Sequence, residues 1–117
     1  TNMIKIIRET IAKSELDTFA KDLFGNMVKG VIDLEREIVA LGGELHADEE
    51  AMLIEEGSRQ KDLWGINIYP GKPFEQAIEF DSMINIRPSD NNYSRDIENK
   101  NIREKIIAIV RKLAPDL

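Results

Sequence analysis

The chain has 117 residues, with 16 Lys+Arg against 22 Asp+Glu, a formal net charge of -6 and no cysteine. Excess acid repels phosphate backbones and anionic membranes, so neither nucleic acid nor a membrane is an expected partner, and the missing thiols exclude disulfides, thiolate metal sites and cysteine nucleophiles. The length suits one globular domain over 1–117 and the cysteine-free composition a cytoplasmic setting; with 42% hydrophobic but only 6% aromatic residues, the core must rest on aliphatic side chains.

Met3-Ile4-Lys5-Ile6-Ile7 is too short and too charged for a signal core or a membrane span and reads as a first strand over 3–7. Leu16, Phe19, Ala20, Leu23 and Phe24 recur at steps of three and four, predicting a helix over 13–24 stopped by Gly25-Asn26; Ser14-Glu15-Leu16-Asp17 resembles its capping box. Two β-branched runs within 27–41, on either side of Glu35-Arg36-Glu37, predict a hairpin. One continuous helix is the competing reading, and Gly30 and Gly42-Gly43 speak against it. A second helix is expected over 47–56, opened by acids, closed by Gly57-Ser58, with Ala51, Ile54 and either Leu53 or Met52 facing inwards. The alternating segments 63–69 and 77–86, halted by Pro70-Gly71 and Pro88, predict a second hairpin. After a polar loop over 89–99, Ile102, Ile106, Ile109, Val110 and Leu113 make one face of a last helix over 100–113, capped by Asn99 or Asn101 and ended by Pro115. The order β-α-β-β-α-β-β-α, with strands joined as hairpins, predicts an α+β fold: a mostly antiparallel sheet of about five strands with three helices.

The segment Gly42-Gly43-Glu44-Leu45-His46-Ala47-Asp48-Glu49-Glu50 sets the only histidine among four carboxylates at a helix start. Histidine titrates near neutral pH, so the cluster reads as a proton-transfer site, a cation site, or an acidic helix start in which His46 is a cap or surface residue. A metal reading would use Glu44, His46, Asp48 and Glu50 as ligands for zinc, manganese or iron; the single imidazole and the absence of a His-Glu-x-x-His spacing weigh against it, and no cofactor is expected. Glu55-Glu56 oppose the negative end of their helix, and Arg59 and Lys61 are the expected neutralising partners.

A second candidate region begins at Asp81. Alternation puts Glu79, Asp81, Met83, Asn85 and Arg87 on one strand face, and Asn85, Arg87, Ser94 and Arg95 together form a candidate pocket for a small anionic ligand. Trp64 beside Gly65 offers a flat platform for a ligand ring, a place where another backbone can approach, or simply core. The competing reading is a solvated face with Arg87 paired to Asp81 or Glu79. Were the two regions joined, His46 would transfer a proton, Asp48 or Asp81 would orient it and Arg87 would hold an anionic substrate.

The reading favoured overall is a non-enzymatic binding or interaction domain. It would self-associate through a sheet edge or through an apolar helix strip of Ile107, Ala114 and Leu117. The alternative is a small enzyme or a ligand- or metal-binding protein built on His46 with an Arg87/Arg95 anion pocket.

Gly42-Gly43-Glu44-Leu45-His46-Ala47-Asp48, Glu56-Gly57-Ser58, Leu63-Trp64-Gly65-Ile66-Asn67 and Asn85-Ile86-Arg87-Pro88 with Ser94-Arg95 form an ordered series over nearly the whole chain. The series resembles a small family of prokaryotic proteins of unknown function. That resemblance implies a stand-alone protein of bacteria or archaea, and it implies no reaction, ligand or partner. Lys100 stands where the family pattern has a proline at the start of the last helix, a place where Asn99 can still cap.

Overall fold

The computed structural model describes residues 3–117. Five strands, β1 (Lys5–Ile7), β2 (Val28–Asp33), β3 (Ile38–Leu41), β4 (Leu63–Ile68) and β5 (Ile78–Glu79), make one open sheet in the order β1-β3-β2-β4-β5, with every neighbouring pair antiparallel. The helices are α1 (Lys13–Leu23), α2 (His46–Glu55), the single turn α3 (Phe74–Ala77) and α4 (Lys100–Leu113). The α+β architecture expected from the hairpin pattern is the one observed, with α3 as an additional short element.

The β2–β3 segment is a hairpin and not a helix. Buried Asp33 ends β2 and folds the turn: its Oδ1 accepts from the Glu35 and Arg36 amides at 2.9 Å each, while its carbonyl accepts from Glu37 N at 2.9 Å. Glu37 then takes a left-handed conformation, φ 55°, which returns the chain as β3. Asp33 Oδ2 accepts from Ser58 Oγ at 2.6 Å, tying the turn to the residues just beyond α2.

Alternation along the central strands sorts the core into two layers. Val28, Ile32, Val39, Leu41, Trp64, Ile66 and Ile68 pack with Leu16, Phe19 and Ala20 of α1 and Ile106, Ile109, Val110 and Leu113 of α4. On the opposite sheet face Val31, Ile38, Ala40 and Leu63 pack with Leu53 of α2, and Ile84 closes against them. Lys29, Gly65 and Asn67 fall in register on this second face, at the end where β5 joins the sheet, so the α2 side of the molecule carries a polar corner.

Several expected details differ. The strand predicted over 77–86 pairs only at Ile78–Glu79, after which the chain leaves the sheet and turns through a 3₁₀ segment, Met83–Asn85. Ser82 and Asn85 are buried while Met83 and Ile86 are exposed, which is not the strand alternation the sequence suggests. In α2 the buried residues are His46, Glu49 and Leu53, whereas Ala51 and Ile54 are exposed. Two polar side chains occupy the inward stripe because they lie over the polar corner. In α1, Ala12 and not Ser14 holds the N-cap position and no side chain caps it; Ser14 lies inside the first turn, where its carbonyl accepts from Thr18 Oγ1. Glu56 pairs with Arg8 at 3.1 Å, while Arg59 pairs with Asp62. Asn99 caps α4 as expected, accepting from Asn101 N and Ile102 N. Among the described residues, no helix is long and apolar enough to cross a membrane.

Candidate functional site

The polar corner opens into a cavity of about 540 Å³ bounded by the start of α2, the β4–β5 edge and the chain from Asp81 to Ile84. Its geometry begins at Gly65. A Cβ there would lie 2.6 Å from both Cβ and Oγ of Ser82, so only a residue without a side chain lets the departing chain cross β4. Beyond β5 the free edge of β4 is met by a side chain in place of a strand. Asn85 Oδ1 accepts from Gly65 N at 2.8 Å, and its Nδ2 donates to Gly65 O at 3.0 Å and to Arg95 O at 3.0 Å. Asn92 then gathers the following loop, its Nδ2 donating to the carbonyls of Asn85, Ser94 and Asp96 and its Oδ1 accepting from Glu98 N. These two amides satisfy main-chain groups that the missing ladder would have paired.

His46, the first residue of α2, is buried, and its Nε2 lies 2.8 Å from Ile66 O. A carbonyl can only accept, so Nε2 carries the proton and the neutral ring has Nδ1 as its acceptor. Burial pushes the His46 pKa down against the opposing effect of the Ile66 carbonyl; Lys29 also lowers it, while Asn67 and Asp81 raise it. Buried Asn67 donates through Nδ2 to Glu79 Oε1 at 2.9 Å and to Asp81 O at 3.2 Å, and its Oδ1 has no hydrogen-bond partner. Tyr69 also donates to Glu79 Oε1, at 3.0 Å, and its pKa is raised by burial first and by Glu79 second. Arg95 Nε and Asp81 Oδ1 form an ion pair at 2.6 Å. Leu45 and Met83, 56% and 65% exposed, provide an apolar lip to this polar floor.

His46, Asp81 and Arg95 therefore line one cavity. Arg87 lies elsewhere: its guanidinium stacks on Trp64 with 3.9 Å to the ring centroid, donates to Gln60 O at 2.6 Å and faces Asp90 at 3.5 Å. Burial lowers the Arg87 pKa, with Asp90, Glu50 and Asp62 opposing. Trp64 contributes to the core and lies under Arg87, so it is not an open platform. Asn85 is spent on β4, and Ser94 donates to Glu98 Oε2 at 3.1 Å. Of the acids around His46, Glu44 is exposed and Asp48 and Glu50 are half-buried; among the described residues no group of three or more His, Asp or Glu side chains is arranged to hold a metal ion.

A family model described as "Protein of unknown function (DUF5674)" matches residues 5–113. The chain belongs to this family. No curated protein and no solved structure matches it. The DUF5674 match takes in every element from β1 to α4, and with them both the cavity and the Asn85–Asn92 scaffold.

Sequence reasoning passed over Lys29, Asn67, Glu79 and Glu49 as site residues. Their signal lies in the period-two pattern: Leu63, Gly65 and Asn67 share a face with Val31 and Lys29, and an amide and an ammonium at one end of an otherwise apolar row mark a polar pocket. The apolar strip expected on α4 is largely occupied. Ala114 is buried, Leu117 packs on the core, and Ile107 lines a shallow hollow with Phe74, Phe80 and Arg111.

Proposed function

We propose that this protein is a non-enzymatic binding domain whose ligand is a small molecule held in the cavity at the start of α2. The observation that carries the reading is the cavity itself, about 540 Å³ bounded by His46, Asn67, Asp81 and Arg95, with Leu45 and Met83 exposed at its lip. The volume suits a small metabolite, and an apolar lip over a few placed polar groups is the usual composition of such pockets. Binding is favoured over chemistry by the commitments of the charged groups. His46 is oriented by a main-chain carbonyl in place of a carboxylate, and Asp81 is engaged by Arg95.

The test is a titration of the isotope-labelled protein with a chemically diverse fragment library, followed by amide NMR shifts. At least one class of fragment is expected to shift His46, Asn67 and Ser82 together, with the effect reduced in Leu45→Ser. Fragments that leave these amides unmoved, or that are converted into products, overturn the reading.

A further inference from the structure

Resting on this reading of the cavity, we infer that its ligand is an uncharged molecule with an apolar body and a hydroxyl or N–H donor, and that His46 Nδ1 accepts that donor. The ring's other nitrogen fixes this role. Nε2 lies 2.8 Å from Ile66 O and can only donate to it, which leaves Nδ1 as the acceptor of the neutral imidazole. Burial holds the ring towards that neutral form. Among the described residues, the polar side-chain atoms with neither a partner nor an opening to solvent belong to Glu49, Glu50, Asn67 and Arg87. His46 Nδ1 is not one of them, and no described side chain or amide donates to it. The ring is only 8% exposed, and the cavity is what it opens onto.

The other polar groups of the lining are committed or cancel one another. Asn67 Oδ1 is sealed off from the cavity, and Nδ2 of the same amide donates to Glu79 and to the Asp81 carbonyl. Ser82 Oγ accepts from Ile84 N at 3.3 Å. Arg95 is paired with Asp81, and Lys29 and Glu79, opposite in sign, stand on either side of Asn67 in one row across β2, β4 and β5. A charged ligand of either sign therefore meets a like charge in the same lining, whereas an uncharged one leaves these groups as they are. The apolar body of the ligand would lie against Leu45 and Met83, where covering them removes apolar surface from water. One placed acceptor in such a setting fixes the orientation of what binds.

The isomers 1-pentanol and butyl methyl ether have the same composition, and only the alcohol has a donor. Each is titrated into the whole protein at about pH 8, where an imidazole of ordinary or lowered pKa is neutral. The amides of His46, Asn67 and Ser82 are followed by NMR together with the ring nitrogens of the single histidine. Pentanol is expected to bind about three- to tenfold more tightly than the ether, as one hydrogen bond allows. It should also move the Nδ1 resonance towards that of a protonated nitrogen while Nε2 stays in place. His46→Leu should abolish the difference between the isomers, and if that variant does not fold, the Nδ1 resonance of the wild type decides alone. Pentanoate and n-pentylammonium are expected to bind no more tightly than pentanol. Equal binding of the isomers, an unmoved Nδ1, a proton on Nδ1 in the free protein, or a charged probe that binds more tightly than pentanol overturns the assignment, while the amide shifts keep the cavity as a binding site. The assignment fails in the same way if other fragments shift these amides and pentanol does not. If no small molecule shifts them, both the assignment and the proposed function fall.

Discussion

The side-chain amide of Asn85 forms a two-point pairing with the main chain of Gly65, with Oδ1 on its N–H at 2.8 Å and Nδ2 on its carbonyl at 3.0 Å. One asparagine thus continues the sheet edge where β5 has stopped. Because Nδ2 also donates to Arg95 O, the same amide fixes the loop that delivers Arg95 to the cavity. Asn85→Ala leaves three main-chain groups without their partner, two of them on buried Gly65, and is expected to cost about 3 kcal/mol. Asn85→Asp keeps the acceptor for Gly65 N but turns an oxygen towards two carbonyls, so it should destabilise at least as much. Urea denaturation of the two variants checks this; an aspartate variant close to wild type would show that the pairing is not what holds the edge.

Gly65 is the complementary half of this arrangement. A methyl group at 65 would lie 2.6 Å from Ser82 Cβ and 3.2 Å from Ile84 Cγ1, so Gly65→Ala must push the 82–84 segment off the sheet. Overpacking of this kind costs about 1–3 kcal/mol. The clash is specific, which gives a second readout: Ser82→Gly in the same chain should recover a large part of the loss, and a double-mutant cycle on thermal stability measures it. Additive effects would place the strain elsewhere.

Much of the fold is legible in the residues because local pattern and burial agree. Ile106, Ile109, Val110 and Leu113 predict the buried face of α4, and the β-branched runs around Glu35-Arg36-Glu37 predict the β2–β3 hairpin. The pattern misleads where side chains replace main-chain partners. Ile78, Phe80, Ser82, Ile84 and Ile86 alternate like a strand, yet only Ile78–Glu79 pairs, because Asn85 takes over the bonds that a longer strand would make. The site is half legible for the same reason. His46, Asp81 and Arg95 stand out by residue type, but their convergence depends on Ser82 crossing Gly65, a contact between residues 17 positions apart that no local period encodes. Trp64-Gly65 does carry that information in one form, as a glycine that admits another segment of chain.

Glu49 is fully buried in α2, with Oε2 accepting from Gly43 N at 2.8 Å and Oε1 unpartnered. Burial raises its pKa well above the ordinary carboxylate value of 4.5, with the Gly43 amide and Lys29 opposing. In the window from 4.5 up to the raised value the folded state holds the proton and the unfolded state does not. Stability therefore falls as pH rises through that window. Glu49→Gln imitates the protonated carboxyl and removes the titration, so it should stabilise the protein at pH 8 and converge with wild type near pH 4.5. Parallel melting curves over this range test it; a glutamine variant that is less stable at pH 8 would mean that the ionised carboxylate is stabilised by its surroundings.

His46 titrates with the opposite sense. Its folded pKa is depressed below the ordinary 6.5 by burial, so between 6.5 and the lowered value the unfolded chain binds the proton that the folded ring resists. Stability contributed by the neutral ring is complete above about 6.5 and declines as pH falls towards the folded pKa. Below 6.5 this slope opposes that of Glu49, so the wild-type profile alone conceals both, and the useful background is Glu49→Gln. In that background stability should drop between pH 7 and pH 5, and adding His46→Gln should flatten the drop. The glutamine amide can donate to Ile66 O in place of Nε2, keeping the 2.8 Å contact's role while removing the charge change. A drop that persists unchanged in the double variant would place its cause away from His46.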